Sequence, residues 1–427
     1  MKNFFQKHKI LKEVLPLFVA LLLVGILFLS PLAVMRKYSQ KQLMAFANNP
    51  KSRTEFVGYS IKEQAFSNYG FLPILGSSEL EHVDAFHPSV YADKYNKAWT
   101  PFLAGQPGTQ SLTQFFYVNS VAQQLHGRKI VFIISPQWFK PQGIPVPALE
   151  NFVSKGEVYS WLLSAKSGNF ATQQLAARLQ RTPDFDDDLL IGSCLKTLSQ
   201  NKALNAAQRT AVFAAQEFWK KEDLLFSAFS TKMEGADAKL AKVHKYAKQL
   251  PAHPTPAELN QRAYDLGEKA ANNNPWGINN KLWTKYKGLL MSEKGSYARV
   301  SYLSSPEYGD FQQLLNQFAA NDNQVLFVIQ PVNGKWYRDY AGLPYERLRE
   351  FSSKIKEQLN AQGFNHVLDL TDKYYEPYYS GDTIHFGTRG WLAVDRGIDK
   401  FMKTSHATNY HLDNKKFLSV NWQMNTK

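Results

Sequence analysis

The chain has one cysteine, Cys194, among its 427 residues. A single thiol cannot form an intramolecular disulfide, which excludes a disulfide-stapled secreted scaffold. In a helical stretch such a residue serves as a small buried apolar side chain. Histidine and cysteine clusters are missing too. His82 and His87 do not make the H-E-x-x-H pair of a zinc hydrolase, so no metal site is expected. No glycine-rich phosphate cradle is present, and no cofactor is expected. No helix-turn-helix, RRM, KH or zinc-finger pattern appears, which argues against nucleic acid as a partner. Beyond about residue 40 no run is both long and uncharged enough to cross a bilayer.

What is present begins with charge and one apolar run. The formal net charge of +14 attracts polyanions such as anionic lipid headgroups or phosphate-bearing polymers. Residues 14–35 carry no charged side chain, a length that spans a bilayer core as a helix. Pro16 and Pro31 lie near its ends, where they disturb a helix least. Lys2, Lys7, Lys9 and Lys12 precede it, and Arg36, Lys37 and Lys41 follow. That small excess favours an inside N-terminus. A cleaved signal peptide is the rival, but Ser30-Pro31-Leu32-Ala33 is a poor cleavage site. The expected organisation is a cytoplasmic N-terminus at 1–13, a transmembrane helix at 14–35 and an extracellular domain at 36–427. Within that domain residues 39–65 read as a stalk or a first helix.

Apolar runs at 71–75 and 129–134 read as buried strands, each closed by small or turn-forming residues. Leu112 to Leu125 reads as a helix between them. From about 150 to 300 the pattern is helical, with a capping box at Thr255-Pro256-Ala257-Glu258. The alternation then resumes. A helix follows Ser305-Pro306, with Phe311, Leu314, Leu315 and Phe318 on one face, and a strand covers 325–329. A helix bearing Leu348, Phe351, Ile355 and Leu359 stops at Gly363. A short strand covers 366–370, and the last amphipathic helix runs from Trp391 to Met402. The implied fold class is α/β: a mostly parallel sheet flanked by helices, with a long helical insertion. Ligands in such sheets sit beyond the carboxyl ends of the strands. That directs attention to Gly76–Glu79, Ser135–Trp138, Gln330–Trp336 and the loop after Leu370.

Two of these segments carry chemistry together. A serine at the turn Gly76-Ser77-Ser78-Glu79 would expose its hydroxyl, although Ser77 or Ser78 could equally cap the next helix. Asp382 and His385, three apart on one loop, can supply a base and its orienting carboxylate, with Gly381 and Gly387 permitting a tight backbone. His82, four residues after Ser78, is the competing base if that segment is an α-helix.

A serine after the first strand and Asp-x-x-His before a late helix resembles the SGNH hydrolase family. Its opening Gly-Asp-Ser block is matched by Gly76-Ser77-Ser78, with Ser77 where that family has Asp, and the alignment makes Ser78 the nucleophile. The SGNH pattern further implies oxyanion donors at Gly105 or Gly108. A third donor would follow Ile134, where no Asn exists and Gln137 could substitute. Trp138 and Trp336 would wall the pocket or serve in the core. A closer resemblance, over nearly the whole chain, is to the DltD family. It rests on the apolar N-terminal run and on LGSSEL at 75–80, FIISPQWF at 132–139, NGKWY at 333–337 and SGDTIHFGTRGW at 380–391. That resemblance implies a Ser78–His385–Asp382 triad outside a Gram-positive cell, transferring D-alanine to lipoteichoic acid. It also implies a multi-pass membrane acyltransferase as partner, with the D-alanyl carrier met only indirectly. The alternatives are an esterase or thioesterase using the same triad, and a non-catalytic scaffold presenting the carrier or polymer.

Overall fold

Five short apolar segments build one sheet in a computed structural model, which describes residues 14–20, 22–23, 25–26, 37–50, 58–230 and 236–425. The strands are β1 (Leu72–Leu75), β2 (Pro101–Ala104), β3 (Lys129–Ile134), β4 (Gln324–Ile329) and β5 (Val367–Asp369). All neighbours pair in parallel, in the order β2-β1-β3-β4-β5. In this doubly wound order the chain moves to one side of β1 and then returns to the other. The crevice between β1 and β3, at their carboxyl ends, is therefore where a ligand is expected.

Side chains alternate between two apolar layers, as the two-residue period of a strand requires. Ile130, Phe132 and Ile134 face one layer with Val325, Phe327 and Ile329, whereas Val131, Ile133, Leu326 and Val328 face the other. Both faces are covered, which explains the unalternating runs in the sequence. Helices Ser111–Ser120, Glu307–Ala320 and Tyr345–Asn360 supply the first layer, including Phe311, Leu314, Phe351 and Ile355. Helices Pro88–Lys94 and Thr388–Met402 supply the second, with Val90, Trp391 and Ile398.

The helical insertion serves both layers. Its first part, with Leu149, Trp161, Leu175 and the buried Cys194, joins the first layer; its later helices Ala236–Ala247 and Pro256–Ala270 place Val243, Leu259 and Ala263 in the second. Burial pushes the Cys194 thiol up to about 11, which suits an apolar role. The Thr255 capping box forms: the Glu258 amide donates to Thr255 Oγ1 at 3.2 Å, and the Thr255 amide donates to Glu258 Oε2 at 2.7 Å.

Of the two readings of 39–65, a stalk or a first helix, the described residues favour helix. Helices Gln40–Ala47 and Ser60–Asn68 bury Leu43, Phe46, Ile61 and Phe66 in the first layer. Lys62 in the second of them makes a buried 2.9 Å ion pair with Glu157 of the insertion and donates to Ser120 Oγ. Charges taken this far from water must be paired, so the contact fixes helix to insertion. Strand β2 has no counterpart in the sequence reading: it is four residues long, begins with Pro101 and lies at the sheet edge, where proline is tolerated. The helix Thr388–Met402 is not the last, since Asn414–Phe417 and Val420–Met424 follow. Half of the expected membrane span at 14–35 falls outside the described residues, as does all of 1–13. Residues 14–20, 22–23 and 25–26 are helical and expose their apolar side chains, Leu17 and Phe18 each at 62%. Among the described residues no helix is long and apolar enough to cross a membrane.

Candidate active site

The turn after β1 is held by hydrogen bonds from distant residues. The Gly76 amide donates to Ala104 O of β2 at 3.1 Å. Gly76 O in turn accepts from Thr109 Oγ1 at 2.8 Å and Gln114 Nε2 at 2.7 Å. Ser77 does not cap the following 3-10 turn, Ser78–Glu81; its hydroxyl donates to Gln106 O at 3.1 Å. Fixing the backbone on both sides of Ser77 sets the direction in which Ser78 leaves the sheet.

Ser78 is part-exposed, and its Oγ lies 2.8 Å from His385 Nε2. The other ring nitrogen, His385 Nδ1, is 2.6 Å from Asp382 Oδ2. Asp382 Oδ1 accepts from the amides of Ile384 and His385, both at 2.8 Å. The carboxylate is thus locked against its own loop before it meets the imidazole. Burial alone would raise the Asp382 carboxyl, but the charge of His385 and the hydrogen bonds from its ring and from both amides hold it down to about 2. Burial likewise works against a charged His385. The Asp382 carboxylate first, then Glu79 and Glu81, reverse this and raise His385 above its ordinary value.

The loop carrying Asp382 and His385 is closed by an antiparallel bridge between Ser380 and Phe386 and by the Gly381 amide donating to His385 O at 2.8 Å. A Cβ on Gly387 would stand 2.4 Å from Tyr378 O, so only glycine allows that approach. Asn333, from the segment after β4, braces the loop from outside. Its amide donates to Thr383 O at 2.8 Å; its Nδ2 donates to Asp382 O at 3.1 Å and to Trp276 O of the insertion at 2.9 Å. Asn333→Ala strands the Asp382 and Trp276 carbonyls without touching the reacting atoms, so in the proposed mechanism Asn333 is a positioning residue. We expect kcat to fall about 10- to 100-fold with KM little changed, because an oriented base matters most in the transition state. The acid limb of the pH profile should also move down as Asp382 loosens its hold on His385, which steady-state kinetics across pH would read.

Beside the triad lies a cavity of about 320 Å³, within the range of small-molecule sites. Its walls include Glu81, His82, Lys242, Lys281, Asp382 and His385, the two lysines coming from the insertion. A second cavity of about 200 Å³ adjoins it across Tyr378 and Ser380 and is lined by Tyr264, Trp276, Tyr374, Tyr375 and Lys335. His82 does not take the base position; its ring packs on that of His385, with centroids 4.6 Å apart.

Gly105, Gly108, Gln137 and Trp138 are not among the residues lining the cavity, although Gly105 packs against the turn that carries Ser78. Gly105 is buried against the turn: a Cβ there would be 2.5 Å from Gly76 C and 2.7 Å from Ser77 N. Gly108, at φ +99°, faces Ala148 and Phe152. Trp138 is 3% exposed with its ring 5.9 Å from Phe132, and Trp336 is equally enclosed by Tyr297 and Tyr337. Neither tryptophan lines the cavity, and nor does Gln137, which sits part-buried on the short turn after β3. The carboxyl ends of β3 and β4 are closed by Gln330 Nε2 donating to Ser135 Oγ at 2.6 Å. A group with no assigned role at the sequence level is Glu79. It is buried, accepts from the Ser77 amide at 2.6 Å, and burial pushes its carboxyl up. Among the described residues no group of three or more His, Cys, Asp or Glu side chains is placed to hold a metal ion.

The family described as DltD protein matches residues 36–403. The chain belongs to the DltD family. It is 36% identical over 411 residues to Protein DltD of Lacticaseibacillus rhamnosus, covering 96% of this chain and 95% of that one. Protein DltD of Bacillus subtilis (strain 168) is 32% identical over 366 residues, with 86% and 90% covered. Protein DltD of Staphylococcus aureus (strain NCTC 8325 / PS 47) is 28% identical over 366 residues, with 83% and 88% covered. The matched region contains every residue of the Ser78–His385–Asp382 arrangement.

Proposed function

We propose that this chain is a membrane-anchored serine acyltransferase of SGNH type that moves D-alanine onto lipoteichoic acid at the outer face of the cell membrane. The observation that carries this reading is the continuous hydrogen-bond path Ser78–His385–Asp382 at the edge of a cavity. Family membership and the net charge of +14 support the polymer as acceptor. The exposed apolar side chains between residues 14 and 26 support an N-terminal anchor, with the catalytic domain outside. A multi-pass acyltransferase would pass the D-alanyl group to the chain, and a cytoplasmic carrier would act only upstream of that step.

In the first half-reaction His385 takes the Ser78 proton as Oγ attacks the D-alanyl carbonyl. The Oγ–C bond forms, the donor's ester or thioester bond breaks, and the proton leaves with the donor. In the second, His385 takes a proton from a glycerol hydroxyl of the polymer as its oxygen attacks the acyl carbon; the Ser78 Oγ–C bond breaks, His385 returns the proton to Oγ, and the ester is left on the polymer. Water in place of the polymer makes the same residues an esterase or thioesterase.

The test is to supply a D-alanyl thioester together with a poly(glycerol phosphate) acceptor. D-alanine esterified to the acceptor in a His385-dependent manner supports the transferase. Free D-alanine alone makes the chain a hydrolase, and no turnover of a folded protein leaves the scaffold reading. Raising the salt concentration should weaken acceptor binding as phosphate contacts are screened.

The pH dependence follows from His385. Only the neutral imidazole accepts the serine proton, and the neighbouring carboxylates favour the imidazolium. Activity should therefore fall as pH drops through a His385 pKa above 6.5, while Asp382, held to about 2, stays charged throughout. A kcat/KM profile between pH 5 and 9 checks this, and half-activity well below 6.5 would contradict it.

A further inference from the structure

We propose that Lys335 binds a phosphate of the acceptor polymer in the second cavity and so holds the neighbouring glycerol unit at the acyl group on Ser78. This deepens the transferase reading above and rests on it. The segment at 333–337 leaves one residue without a duty in the fold. Asn333 braces the loop of Asp382 and His385. The Gly334 amide donates to Tyr374 O at 2.7 Å, and Tyr374 leaves no room there for a Cβ. Trp336 and Tyr337 are buried with their rings against Tyr297. Lys335 alone of the five is exposed. Among the described residues its side chain makes no ion pair or hydrogen bond.

An exposed lysine is ordinarily just solvated, and the cavity is what sets this one apart. Lys335 lines the space of about 200 Å³, and no other Lys or Arg does. The one carboxylate in the same wall, Glu376, lies 3.4 Å from Arg389. The polar neighbours are spent on the protein itself: Asn274 Nδ2 donates to Ile278 O at 2.6 Å, Asn333 Nδ2 to Asp382 O and Trp276 O, and the Tyr375 hydroxyl to Asp339. An anion entering here meets a cation that no other group claims, and a lysine serves phosphate as a compact point charge. The acceptor brings one phosphate with every glycerol. Ala271, Gly277, Tyr378 and Ser380 line both cavities, with His385 in the first and Lys335 in the second. Tyr378 holds φ +63°, uncommon for a residue with a side chain, and its ring packs 5.1 Å from that of Tyr264. A polymer lying across this shared wall places one unit at His385 and a neighbouring phosphate at Lys335.

The experiment supplies a D-alanyl thioester with either poly(glycerol phosphate) or glycerol, acceptors that share the hydroxyl and differ in the phosphate. The ratio of kcat/KM for polymer over glycerol is measured for the wild type, Lys335→Ala, Lys335→Arg and Lys403→Ala. Lys403 is an equally exposed lysine beside Phe401 and Met402, whose carbonyls accept from Lys129 at the start of β3, the end of the sheet away from Ser78. One lost charge-assisted contact predicts that the ratio falls about 10-fold in Lys335→Ala, through a higher KM for the polymer with kcat little changed. Lys335→Arg should keep most of it, and Lys403→Ala should match the wild type. A merely structural role for Lys335, acting through the catalytic loop, would slow both acceptors alike and leave the ratio where it was. An unchanged ratio in Lys335→Ala, or an equal fall in Lys403→Ala, overturns the subsite and leaves the proposed function standing. A wild type that acylates neither acceptor overturns both.

Discussion

Under the proposed mechanism, replacing Ser78 with alanine should lower the rate of D-alanyl transfer by about three to six orders of magnitude, the scale on which serine enzymes lose their nucleophile. The fold should survive this change. Ser78 is part-exposed, its hydroxyl bonds to His385, and the turn around it is fixed by Thr109 and Gln114 through Gly76 O and by Gln106 O through the Ser77 hydroxyl. Loss of one hydrogen bond costs about 1 kcal/mol, so thermal unfolding should shift only slightly. His385→Ala should be nearly as damaging, and the double variant no worse than the single ones, because the two residues act as a unit. The cellular form of the measurement is the D-alanine ester content of lipoteichoic acid, with membrane levels of the protein checked. Normal ester content in the Ser78→Ala strain would remove covalent catalysis and favour the scaffold.

The residues of this hydrogen-bonded path were legible because few segments carry them. Asp382 and His385 share one loop, and Ser78 follows a strand whose apolar run ends abruptly. Strands β1, β3 and β4 were legible for a related reason: they are covered on both faces, and continuous apolar runs result. Strand β2 was not, since four residues starting with Pro101 carry no period. The helices at 40–47 and 60–68 were legible only as one of two alternatives, being short and buried partly through polar residues such as Lys62. His82 was the competing base only on an α-helical period. An α-helix after the serine would align it with His82, whereas the observed 3-10 turn aligns it with Glu81 and leaves His82 at its end. The braces on the site could not be read at all. Thr109, Gln114 and Asn333 act on atoms about 30 to 50 residues away, and no local pattern records such contacts.

Gly105→Ala should cost about 100-fold in rate as well as stability, and the reason separates two roles for this glycine. As an oxyanion donor Gly105 would act through its amide, which alanine keeps. The structure gives it a steric duty that alanine cannot meet. The new Cβ would fall 2.5 Å from Gly76 C, 2.6 Å from Gly76 O and 2.7 Å from Ser77 N, all backbone atoms. Neither side yields easily: Gly76 O is held by Thr109 and Gln114, and the Gly76 amide by Ala104 O next to Gly105 itself. Relief therefore has to come from parting the ends of β1 and β2, which carries Ser78 away from His385. Overpacking of this kind costs about 1–3 kcal/mol, and a displacement of about 1 Å at a reacting atom costs about 100-fold in rate. Gly108→Ala is the comparison. It strains a backbone at φ +99° and touches Ala148 at 3.3 Å, so it should destabilise while leaving the turn at Ser78 in place. Unfolding and turnover measured on both variants should show stability lost in each and the large rate loss only in Gly105→Ala. A Gly105→Ala enzyme with wild-type turnover would mean that the turn after β1 can shift without moving Ser78 off its base.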